Sequence, residues 1–142
     1  MTTPAFTAYA IASLILSLNL LLLWFASGVM RAKSGVAINP EDGAYYKMQV
    51  AELDPPEVAR FLRAHRNAEA TTYPFLLLGL IYVLAGGSAS LATPLFTIFV
   101  LARLAHSIAY ARGLQPWRMI FFVTSLLILL VLMAAIVRIL AA

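Results

Sequence analysis

The first charged side chain in this 142-residue chain is Arg31. Thirty residues without an ion are too many for the surface of a water-soluble helix. The stretch from Ala8 to Met30 matches the roughly 20 residues that cross a hydrocarbon core. Inside lipid a backbone must satisfy its own polar groups, so such a stretch has to be a helix. A second uncharged run, Met119 to Val137, imposes the same constraint near the other end. The whole chain is 63% hydrophobic and 11% charged, against roughly 45–50% apolar residues in a soluble domain. The composition therefore excludes a soluble globular domain and leaves a single polytopic membrane domain over residues 1–142. No basic region precedes the first span, so it is expected to be retained as a helix rather than to act as a signal peptide.

Cysteine is absent, which removes disulfides, thiolate metal sites and a protein thiol nucleophile. Any thiol chemistry must use a sulfur carried by a ligand. The net charge of +4, without a soluble basic domain, points to anionic lipid or an anionic substrate and away from nucleic acid.

Spans are expected at about 8–30, 56–84, 91–111 and 117–138, with a hydrophilic connection over 31–55. Asn39-Pro40-Glu41-Asp42 reads as a short helix start, with an N-cap, a proline at the first helical position and acids in the first turn. Asp54-Pro55-Pro56-Glu57 repeats that pattern before the second long helix. Pro74 should kink that helix. Asn19, alone and polar in the first span, is expected to hydrogen-bond to a neighbouring helix. Four spans place both termini on one side and Arg31, Lys33, Lys47, Arg60, Arg63, Arg66, Arg112 and Arg118 on the other. The positive-inside rule makes that basic side cytoplasmic. The expected fold is all-α, an antiparallel four-helix bundle in the membrane.

Arg63, Arg66 and Asn67 share one helix face at about 100° per residue. Glu69 lies off that face, and its simplest role is an intrahelical pair with Arg66. Arg103, His106 and Tyr110, spaced i, i+3 and i+7, form a polar stripe about 60° wide. An arginine within a span costs ~2.5–3.5 kcal/mol at the helix centre, so Arg103 must face protein, a carboxylate partner or water. Arg118 opens the fourth helix. His65 and His106 lie on different helices without an acid at ligand spacing, so no metal site is expected. Together, Arg31, Arg63, Arg66, Asn67, Arg103, His106, Tyr110 and Arg118 describe a basic pocket at the cytoplasmic mouth of the helices. Several arginines suit a ligand with more than one carboxylate, and the flanking apolar faces suit a hydrophobic co-substrate.

Four segments resemble the family of membrane-associated proteins in eicosanoid and glutathione metabolism, especially its microsomal prostaglandin E synthase and microsomal glutathione transferase branch. They are Arg31 with Asn39-Pro40-Glu41-Asp42, Arg63-Ala64-His65-Arg66-Asn67 with Tyr73-Pro74-Phe75-Leu76 and Gly79, Arg103 through Tyr110, and Pro116-Trp117-Arg118. The resemblance runs over roughly residues 28–122. It implies a homotrimer with glutathione held at subunit interfaces and open to the cytoplasm. By carry-over, Arg31, Arg66, Asn67, His106 and Tyr110 would bind glutathione, with Arg63 and Arg103 supporting the site. Arg118 would activate the thiol, and Asp42 matches a proton-handling aspartate. The acid that the family carries three residues after the asparagine falls here on Ala70. Met119 and Phe122 stand where the prostaglandin synthase has a serine and a tyrosine, and the turn before Pro116 is one residue shorter.

The expectation is thus a glutathione transferase acting on lipophilic electrophiles, with peroxidase or prostaglandin-type isomerase activity in range. The alternative is a non-catalytic lipid-binding scaffold of the same fold, and a small transporter or proton conductor using Arg103 and His106 is a third reading.

Overall fold

The computed structural model describes residues 3–141. It is all-α apart from one two-residue strand pair. Five helices follow one another: α1 (Pro4–Ser34), α2 (Pro40–Tyr46), α3 (Pro56–Leu84), α4 (Ala89–Arg112) and α5 (Trp117–Leu140). Strands β1 (Val36–Ala37) and β2 (Gln49–Val50) pair in parallel on either side of α2. They fold the hydrophilic connection into a compact unit instead of a free loop.

The helix ends follow local chemistry. Thr3 Oγ1 accepts from the Phe6 backbone N–H at the start of α1, and Pro4 occupies the first helical position. Glycine ends α1 at Gly35 (φ 68°) and α4 at Gly113 (φ 70°), both in the left-handed region that a Cβ disfavours. The Asn39-Pro40 start of α2 is present, but the Asn39 amide turns to Asp42 Oδ2 at 3.1 Å and caps no backbone N–H. The parallel expectation for Asp54 does not hold. Pro55 occupies the cap of α3, and Asp54 instead accepts from Arg31. Because α3 begins at Pro56, Asp54 lies one residue outside the capping position, and its carboxylate pairs with the arginine.

Three helices, α1, α4 and α5, are long and apolar enough to cross a membrane. The second long helix is continuous through Pro74. Its N-terminal half carries Glu57, Arg60, Arg63, Arg66 and Glu69, which keeps α3 as a whole outside that description.

Consecutive long helices run antiparallel. Tyr9 of α1 donates to the Leu76 carbonyl of α3 at 2.9 Å, whereas Arg31, at the far end of α1, meets Asp54. Phe75 of α3 stacks on Phe99 of α4 with centroids 4.3 Å apart and meets Phe96 edge-on at 5.2 Å. Each such ring pair adds ~0.5–1.5 kcal/mol beyond area burial. In lipid, apolar burial between helices brings little, so close packing has to hold them together. Small residues at the contacts allow it: Ala12, Ala64, Ala68, Gly79 and Ala92 are all buried. Leu14, Leu18, Leu21, Leu22 and Phe25 of α1, with Leu126, Leu127 and Leu130 of α5, face outward. That apolar exterior suits lipid.

The hydrogen bond expected of Asn19 is not made. The residue is buried, and its Nδ2 has no partner among the described residues.

Candidate functional site

The antiparallel order brings the end of α1, the start of α3, the end of α4 and the start of α5 to one end of the molecule. Arg31, Arg112 and Arg118 gather there because each lies within a turn of one of those helix ends, and Arg63 and Arg66 lie in the N-terminal half of α3. Arg138 closes α5 at the opposite end.

The inner part of the site lies between α3, α4 and α5. Arg103 is wholly buried on α4. Its Nη2 donates to Asn67 Oδ1 at 3.1 Å and to the Asn67 backbone carbonyl at 3.3 Å. Its Nε and Nη1 have no partner among the described residues. Of the partners open to an arginine within a span, Arg103 takes neutral protein acceptors, a carboxamide and a backbone carbonyl, rather than a carboxylate. No acid lies on the facing side of α3, where Ala64, Ala68, Thr71 and Thr72 are buried. One turn along α4, His106 is 1% exposed with an orphaned Nδ1. Its ring lies 5.6 Å from Tyr110 and 6.3 Å from Phe122 of α5. Tyr110 is half-buried and packs against the cluster of Leu23, Ala64 and Ala68.

Arg118 closes this group from the head of α5. Its guanidinium carbon lies 4.7 Å from the Tyr110 ring centroid, a cation–π contact. With the Gln115 amide oriented by its hydrogen bonds, the side-chain oxygen accepts from Arg118 Nε at 3.1 Å and Nη2 at 2.7 Å. A planar cation held on a ring and by an amide loses little freedom when it meets an anion.

The outer part of the site lies on the other side of α3. Arg63 and Arg66 are exposed and line a groove of about 400 Å³ with Leu53, Asp54, Ala59 and Leu62. Arg31 Nε and Nη2 both donate to Asp54 Oδ1, at 3.0 and 2.7 Å. Asp42 is exposed and lines a separate groove of about 650 Å³ with Arg31, Trp24, Tyr46 and Met48. The structure thus brings Asn67, Arg103, His106, Tyr110 and Arg118 together. Arg63 and Arg66 face a groove walled only by α3 and the connection before it.

Glu69 departs from its expected pairing with Arg66. It accepts from Tyr73 Oη at 2.9 Å and lies 3.5 Å from His65 Nδ1. Both are four residues away along the helix, where side chains stack over one another. Among the described residues the ion pairs are Arg31–Asp54 and His65–Glu69, so Arg63, Arg66, Arg103 and Arg118 have no carboxylate partner. Two contributors escaped the sequence reading. Asp54 looked like a helix cap. Gln115, three residues before Arg118 at a helix entrance, has a spacing that could have revealed it.

The MAPEG family model matches residues 9–138. Prostaglandin E synthase from Homo sapiens is 34% identical over 115 residues, covering 81% of this chain and 76% of that protein. The Bos taurus prostaglandin E synthase is 35% identical over 109 residues, 76% of this chain and 71% of that protein. Microsomal glutathione S-transferase 1 from Rattus norvegicus is 41% identical over 125 residues, 84% of this chain and 79% of that protein. Coverage of this extent, joined to three helices able to cross a membrane, identifies the chain as an integral membrane protein that belongs to the MAPEG family.

Proposed function

We propose that this protein is a glutathione-dependent membrane enzyme that activates the glutathione thiol for attack on lipophilic electrophiles. The observation that carries the proposal is Arg118, fixed over the Tyr110 ring and free of any carboxylate partner among the described residues. A free thiol ionises near pH 8.5, and an adjacent guanidinium lowers that value. Arg118 would hold the thiolate, with His106 and Tyr110 lining its seat. The exposed guanidinia of Arg63 and Arg66 suit the carboxylates of the tripeptide, and the buried Arg103 supports the site by holding Asn67. In conjugation, the thiol proton leaves to solvent and the thiolate sulfur attacks an electron-poor carbon. A carbon–sulfur bond forms and the leaving group departs with its electron pair. Names of relatives that include glutathione S-transferase and prostaglandin E synthase support the assignment.

Around this chemistry we place α1, α3, α4 and α5 as a four-helix transmembrane bundle. Both termini lie on the non-cytoplasmic side, and three copies assemble with glutathione held at their interfaces. Asp42 would handle a proton in an isomerase-type reaction. The test of function is conjugation of a chlorinated nitrobenzene by detergent-purified protein. Turnover well above that of Arg118→Ala is expected. Equal rates would refute the proposal and favour a non-catalytic lipid-binding scaffold.

A further inference from the structure

Glutathione carries an ammonium and a carboxylate on one carbon at its γ-glutamyl end. A site that reads this end needs a cation and a carboxylate side by side. The chain has six acidic residues, so the candidates can be compared in turn. Glu69 is engaged by Tyr73 and His65. Asp42 is exposed and accepts from Asn39. Glu41, Glu52 and Glu57 are exposed and line none of the described grooves. Asp54 differs from all of these. It lines the groove that also holds Arg63 and Arg66.

Its bonding leaves it ready to accept. Both Arg31 bonds fall on Oδ1, at 3.0 and 2.7 Å, and among the described residues no side-chain or backbone donor reaches Oδ2. The carboxylate is thus fixed in direction by a bidentate arginine while one oxygen stays uncommitted. Its side chain is 20% exposed, so an ammonium could reach it, and its charge is screened less than on open surface. Ala70, exposed on α3, offers no acid in its place.

Resting on the glutathione-dependent activity proposed above, we infer that Asp54 accepts the α-ammonium of the γ-glutamyl residue while Arg63 and Arg66 take its α-carboxylate. Asp54 is then the residue that selects an amino-bearing tripeptide over one lacking the amine. The groove floor of Leu53, Ala59 and Leu62 packs against the methylenes of that residue.

The experiment compares glutathione with glutaryl-cysteinylglycine, which lacks only the α-amine, in conjugation by the full-length protein in detergent. A charge-assisted bond sets the scale, so wild type should show a KM for glutathione at least about tenfold below that for the analogue. In Asp54→Asn the two KM values should converge to within about twofold, because the glutathione value rises and the analogue value does not. Glu69→Gln should keep the wild-type ratio. If Asp54→Asn does not yield folded protein, the ratio is read in Arg31→Gln/Asp54→Asn, which removes the ion pair as a unit. A wild-type ratio near one overturns the inference. So does a preserved ratio in the Asp54 variants, or an equal loss for both ligands, which would mean that Asp54 only positions Arg31. Turnover of neither ligand by wild type would instead refute the activity itself.

Discussion

Arg103 of α4 and Asn67 of α3 hold each other across the helix interface through Nη2 and Oδ1, 3.1 Å apart, with no carboxylate in the contact. The arginine is wholly buried, so its charge depends on neutral acceptors. Removing one of them leaves a desolvated cation with fewer partners. Asn67→Ala should cost about 2–3 kcal/mol, the scale for stranding a buried charged donor. Asn67→Asp, which restores an acceptor with opposite charge, should hold or raise stability. Denaturation midpoints in detergent micelles read both.

Close approach of α1 and α3 sets the second expectation. A Cβ on Gly79 would sit 2.9 Å from Tyr9 Cδ2, and Tyr9 is pinned by its bond to the Leu76 carbonyl. Gly79→Ala should therefore destabilise by about 1–3 kcal/mol, as overpacking does. Gly28 has nothing within 4 Å, so Gly28→Ala should be neutral or slightly stabilising. The two variants are compared by thermal unfolding in the same detergent.

Arg66 and Glu69 lie three residues apart on α3 but have different partners. Arg66 faces the open groove, whereas Glu69 is committed to His65 and Tyr73. Arg66→Ala should raise the Kd for glutathione by about tenfold, the effect of losing a charge-assisted contact. Glu69→Ala should change it by less than about twofold, as for a surface intrahelical pair. Isothermal calorimetry distinguishes them, and equal losses would mean that Glu69 reaches the ligand.

The Tyr110 ring supports Arg118 by its face. Tyr110→Phe keeps that face, so it should hold kcat within about threefold. Tyr110→Leu removes a contact of about 0.5–2 kcal/mol and should lower kcat by up to about thirtyfold. Steady-state kinetics at saturating glutathione separates loss of the ring from loss of the hydroxyl.

Much of this arrangement was legible in residue order. Uncharged runs marked α1 and α5, and the i, i+3, i+7 spacing placed Arg103, His106 and Tyr110 on one stripe. Periodicity reports which residues share a face of one helix. It does not report what stands opposite. That is why residue order leaves protein, a carboxylate and water all open as partners of Arg103 where the structure has Asn67, and why Asn19 lacks its expected bond. The Arg31–Asp54 pair spans 23 residues, a separation that no local pattern encodes. The proline neighbours of Asp54 resemble a helix cap and hide its pairing with Arg31. Glu69 was assigned to Arg66 at i, i+3, although i, i+4 partners existed on both sides.

The central claim is that Arg118 keeps the bound thiol ionised, and it is tested most directly by the pH dependence of conjugation at saturating glutathione. Rate follows the thiolate, so it should rise through the bound thiol pKa and level off above it. In wild type the midpoint should lie at least about one pH unit below the free-thiol value of about 8.5. In Arg118→Gln it should return to about 8.5, with the loss largest at neutral pH and recovering as pH rises. Coincident midpoints in the two proteins would contradict the account.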